Sequence, residues 1–148
     1  MRIRDLYTPR ARIAYRDEPL AEAARKMCSE QVGALVVVES GPVHRPIGIV
    51  TDRDIVRGQL RRGADLYCLT VGDVMSPDPL VLPVHLEVTE AIEALTARAV
   101  RRAPVLDSSG NLCGMITLDD LLPAVAQELG DLARLMGSQA HRERPLSA

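Results

Sequence analysis

The chain has 148 residues, 47% of them apolar, which is enough for the core of one domain or of two small ones. It has no Phe or Trp to stack on single-stranded nucleic acid, and its net charge of −2 gives no basic surface for duplex DNA, so nucleic-acid binding is disfavoured. It has no apolar run long enough to cross a bilayer and no secretion signal at its N-terminus, so we expect a cytoplasmic protein without membrane contact.

Three cysteines and three histidines lie far apart in the sequence. Their spacing fits neither a disulfide framework nor a zinc site. They are Cys28, Cys68, Cys113, His44, His85 and His141. We therefore expect reduced, buried thiols and no bound metal.

Two predicted elements at the start of the chain recur 68 positions later. The lead-in DLYTP at residues 5–9 aligns with DVMSP at residues 73–77. Each lead-in is followed by four apolar residues with the i, i+3, i+4, i+7 spacing of one helix face. The two quartets are Leu20, Ala23, Ala24 and Met27, and Val88, Ala91, Ile92 and Leu95. The sequence therefore predicts the same helix in both halves of the chain.

Each half continues with a buried strand, a turn-rich segment and a second strand. These are residues 35–38, 39–46 and 48–51 in the first half, and 103–106, 107–111 and 114–117 in the second. The whole stretch between the two strands is two residues shorter in the second half, residues 107–113 against 39–47, so the shift falls to 66. After each second strand, an apolar pair predicts the inner face of another helix. The pairs are Ile55 and Val56, and Leu121 and Leu122.

The repeat divides the chain into two units and a tail. Each unit has the order helix, strand, strand, helix and is too small to bury much surface alone. We expect a mixed α/β (α+β) fold in which residues 1–68 and 69–128 pack through their sheets with pseudo-two-fold symmetry. The tail, residues 129–148, extends the last helix past Pro123, which should kink or delay it, and about the last eight residues are expected to be disordered. An apolar stripe, typical of a core or dimer contact, comprises Val125, Leu129, Leu132 and Met136.

A seven-residue pattern marks the corner between the second strand and the second helix of each half. It reads GIVTDRD at residues 48–54 and GMITLDD at residues 114–120. As a structural motif, Thr-x-x-Asp is close to a helix capping box. As a binding motif, a helix N-terminus with a Thr hydroxyl can hold a phosphate, and the Asp can accept hydrogen bonds from two ribose hydroxyls. Duplication on matching scaffolds favours binding, in two symmetric clefts between the halves.

The whole pattern resembles the tandem cystathionine β-synthase (CBS) domain pair, also called a Bateman module. The resemblance rests on both lead-ins, the Glu-Ala helices, the RAPV strand start at residues 102–105 and both corners, and it covers residues 1 to about 126. It implies a module that senses AMP, ADP, ATP or S-adenosylmethionine. It also implies pairing of two modules into a disc-shaped homodimer.

The same resemblance implies which residues bind the ligand. The corner Thr would contact phosphate and the corner Asp the ribose, through Thr51 and Asp54 at one site and Thr117 and Asp120 at the other. Apolar and backbone contacts to the adenine would come from a short segment in each half. These segments are Gly33, Ala34 and Leu35, and Ala103, Pro104 and Val105.

The two corners differ in charge. Arg53 in the first can add a charge-assisted contact to a phosphate, whereas Asp119 in the second repels one. Arg101 and Arg102 either compensate from the neighbouring strand or are solvated surface arginines. On this basis the corner with Arg53 should accept more phosphate charge than the corner with Asp119.

No catalytic constellation is recognisable in the sequence. It has no Ser/His/Asp set at an elbow, no metal cluster and no glycine-rich phosphate loop. We therefore predict a regulatory module without catalysis or a catalytic cofactor, whose ligand is an adenosine nucleotide (AMP, ADP or ATP). The alternatives are a dimerising module that binds an unidentified target protein, and a sensor of another adenosyl ligand such as S-adenosylmethionine or NAD(H).

Overall fold

The computed structural model describes residues 1–63 and 65–143, and within them two sheets and five helices. The strands are β1 (Thr8–Pro9), β2 (Ile13–Tyr15), β3 (Ala34–Val38), β4 (Pro46–Thr51), β5 (Ser76–Pro77), β6 (Leu82–Pro83), β7 (Arg102–Leu106) and β8 (Leu112–Thr117). The helices are α1 (Leu20–Glu30), α2 (Asp52–Arg62), α3 (Val71–Val74), α4 (Val88–Arg98) and α5 (Leu118–Glu143), and a 3-10 turn spans Ile3–Asp5. The predicted α/β class and the repeated order of helix, strand, strand and helix are confirmed.

Each sheet takes three strands from one half of the chain and one from the other. The strand orders are β2-β3-β4-β5 and β1-β8-β7-β6. β5, from the lead-in of the second repeat, pairs antiparallel with β4, where Pro77 lies opposite Gly48. β1, from the first lead-in, pairs in the same way with β8, where Pro9 lies opposite Gly114. The two lead-ins are therefore exchanged between the halves.

The glycine of each repeated corner pattern makes this exchange sterically possible. A Cβ added at Gly48 would lie 2.6 Å from the Met75 sulfur and 2.9 Å from the Ser76 carbonyl oxygen. A Cβ added at Gly114 would overlap the Thr8 carbonyl oxygen and the Tyr7 ring. At both positions glycine allows the exchanged lead-in to approach the backbone of the strand closely.

Two hydrophobic cores hold the structure together, one under each sheet. The first is built around α1, β3 and β4 and includes Leu69 and Val71, which lie just before the second lead-in. The second is built around α4, β7 and β8 and includes Ile3, which lies just before the first lead-in. Because each core buries side chains from the start of the other half, neither half is packed by its own residues alone.

The second helix of each half turns only one residue of its apolar pair inward. Ile55 and Leu121 are buried, as predicted, but Val56 is 57% exposed and Leu122 is 63% exposed. The prediction that Val56 and Leu122 lie on the inner face is therefore wrong. Successive residues of a helix are rotated by about 100°, so one face cannot take both members of an adjacent pair.

The last helix, α5, starts at Leu118 and runs through Pro123 to Glu143. The prediction that Pro123 delays the helix is wrong. The proline removes only the backbone donor that would reach the Asp119 carbonyl, while Leu121 stays anchored in the core. The helix also includes residues 141–143, the start of the predicted disordered tail; residues 144–148 lie outside the described part of the chain.

All three cysteines are free thiols, but only one of them is substantially covered. Cys28 and Cys68 are exposed and Cys113 is half-buried, so the prediction of buried thiols is wrong for the first two. Burial raises the pKa of the Cys113 thiol, whose sulfur lies 3.4 Å from the Val105 carbonyl oxygen. In the described residues no helix has the length and apolar content needed to span a membrane.

Candidate functional site

The first corner, between β4 and α2, is a complete capping box. The Asp54 N–H donates to Thr51 Oγ1 at 3.1 Å, and the Thr51 N–H donates to Asp54 Oδ2 at 2.9 Å. The Asp52 N–H donates to the Gly33 carbonyl at 3.1 Å, and the Arg53 N–H to Asp52 Oδ1 at 2.8 Å. The first three N–H groups of α2 are therefore occupied. A phosphate bound at this corner must therefore be held by side chains, because these three N–H groups already have acceptors.

The second corner, between β8 and α5, is less completely capped. The Thr117 N–H donates to Asp120 Oδ2 at 3.0 Å, and the Thr117 hydroxyl lies 3.4 Å from the same oxygen. The Leu118 N–H donates to the Arg101 carbonyl at 3.0 Å. The N–H groups of Asp119 and Asp120 have no acceptor among the described residues. This corner, unlike the first, keeps two backbone donors at its helix N-terminus.

A third Thr-x-x-Asp sequence shows that the motif alone does not define a ligand site. It lies at the start of α3, where the Thr70 N–H donates to Asp73 Oδ2 at 2.8 Å. This backbone hydrogen bond lowers the pKa of Asp73, and the positive charge of Arg62 contributes in the same direction. Capping is thus the common role of the motif, and binding must be argued from the cavity beside it.

Two cavities related by the repeat lie beside the two corners. The Thr51 cleft has a volume of ≈ 400 Å³ and the Thr117 cleft ≈ 330 Å³, both within the usual range for small-molecule sites. Each is lined by the corner of one half, by the lead-in that crosses to it, and by the segment before the first long strand of the other half. The Thr51 cleft is lined by Ile49, Thr51, Asp54, residues 76–80, Arg98 and residues 100–102. The Thr117 cleft is lined by residues 8–12, residues 32–34, Arg102, Met115 and Thr117.

Basic side chains line both clefts. Arg98, Arg101 and Arg102 line the Thr51 cleft, and Arg98 Nη2 donates to the Asp78 carbonyl at 2.5 Å. Arg102 also lines the Thr117 cleft, so this one residue lines both cavities. Guanidinium groups are suited to bind phosphate oxygens.

The two clefts differ in charge at equivalent positions of the repeat, most sharply where Arg10 in one corresponds to Asp78 in the other. Arg10 lines the Thr117 cleft, and Asp78 lines the Thr51 cleft. Both residues have a left-handed backbone, with φ of 60° and 52°, which costs a non-glycine residue roughly 1–2 kcal/mol. Arg12 also lines the Thr117 cleft and forms a 3.3 Å ion pair with Glu30. The sequence comparison of the corners misses this difference because it lies in the lead-ins.

The remaining candidate residues are distributed unevenly. Gly33 and Ala34 line the Thr117 cleft, whereas Leu35, Ala103 and Val105 are fully buried in the cores. Pro104 is also buried, and Asp120 accepts the Thr117 N–H but does not line the Thr117 cleft. Arg53 and Asp119 are exposed and belong to neither cleft wall, so the charge difference used to rank the corners does not lie in the cavities.

Sequence reasoning missed the residues that the lead-ins and α4 contribute. Thr8, Arg10 and Arg12 lie in one cleft, and Ser76, Asp78 and Arg98 lie in the other. The lead-in repeat was the available signal, because it placed a hydroxyl residue and a proline at the same positions of both halves. Among the side chains that the structure describes, those of residues 1–63 and 65–138, no group of three or more His, Cys, Asp or Glu could hold a metal ion.

A family model described as the CBS domain matches residues 3–61 and 71–127. The chain is 32% identical over 114 residues to the mitochondrial CBS domain-containing protein CBSX3 of Arabidopsis thaliana, covering 76% of this chain and 55% of that protein. The chain spans about half the length of two curated relatives that it matches.

Two solved structures share the fold. The structure of CBSX2 from Arabidopsis thaliana in complex with AMP has a TM-score of 0.70 and 26% identity, covering 85% of this chain and 96% of that one. The hexameric CBS-CP12 protein from bloom-forming cyanobacteria has a TM-score of 0.69 and 26% identity, covering 82% and 69%. With two family matches on two repeat-related sheets, the chain belongs to the CBS domain family and carries two CBS domains in tandem.

Proposed function

We propose that this chain is a regulatory module that binds an adenosine nucleotide in the clefts between its CBS domains, without catalysis. The observation that carries the proposal is the pair of repeat-related cavities, each lined by the Thr of a capped corner and by arginines, with Asp54 also lining the Thr51 cleft. AMP in the complex of the similar protein CBSX2 supports the class of ligand.

In the Thr51 cleft, the groups left free by capping suit the parts of a nucleotide. Asp54 uses Oδ2 for the Thr51 N–H, so Oδ1 can accept from the ribose hydroxyls. The Thr51 hydroxyl accepts from the Asp54 N–H and retains its own hydrogen to donate to a phosphate. Arg98, Arg101 and Arg102 would neutralise the phosphate charge, while Ile49 and Leu80 supply an apolar wall for the base.

We also propose that the module forms a homodimer. Val56 and Leu60 on α2, and Leu122 on α5, are 57–80% exposed, on helix surfaces that face away from the cores. Beyond the family match, α5 presents Leu129, Leu132, Leu135 and Met136, each more than half exposed. Such apolar helix faces mark protein contacts, and a second copy offers the same faces.

Replacing the corner carboxylates tests the binding proposal. Asp54→Asn and Asp120→Asn keep an oxygen that can accept the Thr N–H, but they remove the charge offered to the ribose. We expect the free energy of nucleotide binding to weaken by about 1.5–3 kcal/mol, the usual contribution of a hydrogen bond to a charged group, with a smaller loss of ligand-free stability. Calorimetric titration of each variant with AMP, ADP and ATP measures the first, and urea unfolding the second.

The identity of the ligand is tested by thermal shift with AMP, ADP, ATP, S-adenosylmethionine and NADH. A ligand present at about one hundred times its dissociation constant stabilises the fold by about 2.7 kcal/mol. Unchanged affinity in both Asn variants together with lost stability would leave capping as the only role of the corners. No shift with any of the five compounds would favour the protein-interaction alternative.

A further inference from the structure

A second groove adjoins the Thr51 cleft. It has a volume of ≈ 330 Å³ and lies between α2 and the segment that joins α3 to β5. Asp54, Ser76 and Pro77 line both the groove and the Thr51 cleft, so the two cavities share a boundary. The groove is therefore the cavity next to any ligand bound in the cleft.

Three exposed arginines of α2 line this arginine groove: Arg57, Arg61 and Arg62. None of the ion pairs among the described residues uses these three arginines, although the charge of Arg62 acts on the Asp73 carboxylate. Each guanidinium carries five N–H donors in a planar fork that matches phosphoryl oxygens. Arg57 and Arg61 lie four residues apart, where like charges on a helix repel each other, and an anion bound between them would remove that repulsion.

Two carboxylates also face the groove, and both are engaged by backbone donors. Asp54 accepts the Thr51 N–H at 2.9 Å, and Asp73 accepts the Thr70 N–H at 2.8 Å. The arginines outnumber them, so the lining keeps a net positive charge. Arg61 and Arg62 lie in the last turn of α2, where positive charge stabilises a helix end, but Arg57 lies in its middle. The helix dipole therefore does not account for the cluster.

The second repeat provides an internal comparison for these arginines. At the shift of 66, the positions of Arg57, Arg61 and Arg62 are taken by Pro123, Gln127 and Glu128. The same helix of the same fold therefore forms without a single arginine at these positions. The cluster is a property of one repeat, and the fold does not require it.

We propose that the arginine groove binds phosphoryl groups: the terminal phosphates of a nucleoside di- or triphosphate whose nucleoside lies in the Thr51 cleft. This inference rests on the proposed function, and it makes the Thr51 cleft the one that selects the longer phosphate chain. The basis is Arg57, Arg61 and Arg62 rather than Arg53, which lines neither cavity.

The test is the double variant Arg57→Gln/Arg61→Gln, titrated by calorimetry with AMP and with ATP at low and high salt. We expect ATP affinity to fall about tenfold or more and AMP affinity to stay within about twofold of wild type. The difference should shrink at high salt, because exposed charges are screened. Arg57→Lys/Arg61→Lys keeps the charge without the planar fork, and its ATP affinity should lie between those of wild type and Arg57→Gln/Arg61→Gln. The matched control, Arg4→Gln/Arg45→Gln, removes two exposed arginines elsewhere and should bind both nucleotides like wild type.

Inorganic tripolyphosphate separates the sources of the phosphoryl groups. If wild type binds tripolyphosphate as tightly as ATP, and Arg57→Gln/Arg61→Gln loses this binding, the groove is a site for a free phosphate chain and not for the tail of a nucleotide. If the two arginines strengthen the binding of ATP but not of tripolyphosphate, the groove binds the tail of a nucleotide, as proposed. Equal loss of AMP and ATP, or no loss of either, in a variant that melts like wild type would overturn the proposal. If wild type binds neither AMP nor ATP but tripolyphosphate binding still depends on the two arginines, the proposed function fails and the groove stands.

Discussion

At the scale of single residues, the same Thr-x-x-Asp sequence occurs in three settings. At Thr51 and Thr70 the Asp closes the box by accepting the backbone N–H of the Thr. At Thr117 it does so as well, but there the Asp120 N–H does not donate to the Thr117 hydroxyl. Only two of the three boxes lie beside a cleft between the CBS domains. A residue's role in binding therefore depends on the cavity next to it, since the local hydrogen bonds are nearly the same.

The capping contribution can be measured at Asp73, away from the clefts. Its pKa is held below the ordinary 3.8, chiefly by the hydrogen bond from the Thr70 N–H. A lowered folded-state pKa means that the ionised form stabilises the fold above pH 3.8, and that this contribution is lost as the pH falls through 3.8 and the folded-state value. Asp73→Asn should therefore be less stable than wild type at pH 7, and the gap should narrow below pH 3.8 in urea unfolding.

Asp5 is the matched control, because it occupies the equivalent lead-in position and its carboxylate forms no hydrogen bond or ion pair with a described residue. Asp5→Asn should change the free energy of unfolding less than Asp73→Asn at pH 7. A gap for Asp73→Asn that stays constant from pH 7 to pH 3 would show that the carboxylate charge contributes nothing to this cap.

At the scale of elements, the exchange of lead-ins is the main structural fact. β1 and β5 have two residues each, so neither is stable as an isolated strand. They are held by pairing with β8 and β4, and by Ile3, Leu69 and Val71 in the opposite cores. The exchange also brings residues 8–12 and 76–80 into the cleft walls. The elements that build the clefts are thus the ones that join the two domains.

Gly114→Ala should disturb this junction. The added methyl group would overlap the Thr8 carbonyl and the Tyr7 ring, and it can be accommodated only if β1 moves away from β8. Overpacking of this kind costs about 1–3 kcal/mol, which a urea unfolding curve resolves. Gly137→Ala is the control, because no atom lies within 4 Å of its added Cβ and alanine favours a helix by up to about 1 kcal/mol. Equal stability of Gly114→Ala and wild type would mean that the lead-in contact is loose.

At the scale of the whole molecule, the apolar faces left uncovered by the cores favour assembly. On α5, the residues Leu122, Val125, Leu129, Leu132 and Met136 alternate spacings of three and four, the pattern of a helix that packs along another helix. Val125 packs against the second core, and the other four are more than half exposed. Burying each Leu side chain fully would contribute about 1.5–3 kcal/mol, and a two-fold axis doubles every contact.

Light scattering at micromolar concentration should give wild type a mass of at least twice the 16.1 kDa of one chain. Leu132→Glu should shift the mass towards the monomer, because a charge on this stripe would have to be desolvated in the interface. Gln127→Glu adds the same charge to the opposite face of α5 and should leave the mass unchanged. A wild-type mass near 16.1 kDa would contradict the homodimer, and equal masses for wild type and Leu132→Glu would move the interface away from α5.

The sequence by itself determined everything that local periodicity and duplication encode. Short-range patterns predict the i, i+3, i+4, i+7 quartets of α1 and α4, the short apolar runs of β3 and β7, and the corners at Thr51 and Thr117. The pseudo-two-fold relation between the halves follows from the repeat itself. Hydrophobic spacing fixes such elements because each must bury one face, whatever it packs against.

Only the tertiary structure decided which half completes which cleft. A two-residue strand such as β1 or β5 carries no periodicity, so its own sequence cannot specify which sheet it joins; that is decided by glycines 48 and 114 and by the core positions of Ile3 and Val71. The same packing decides three further features. It turns Val56 outward, it places Asp78 in one cleft and Arg10 in the other, and it forms the arginine groove beside the Thr51 cleft. They arise from contacts between residues far apart in the chain, which no local pattern records.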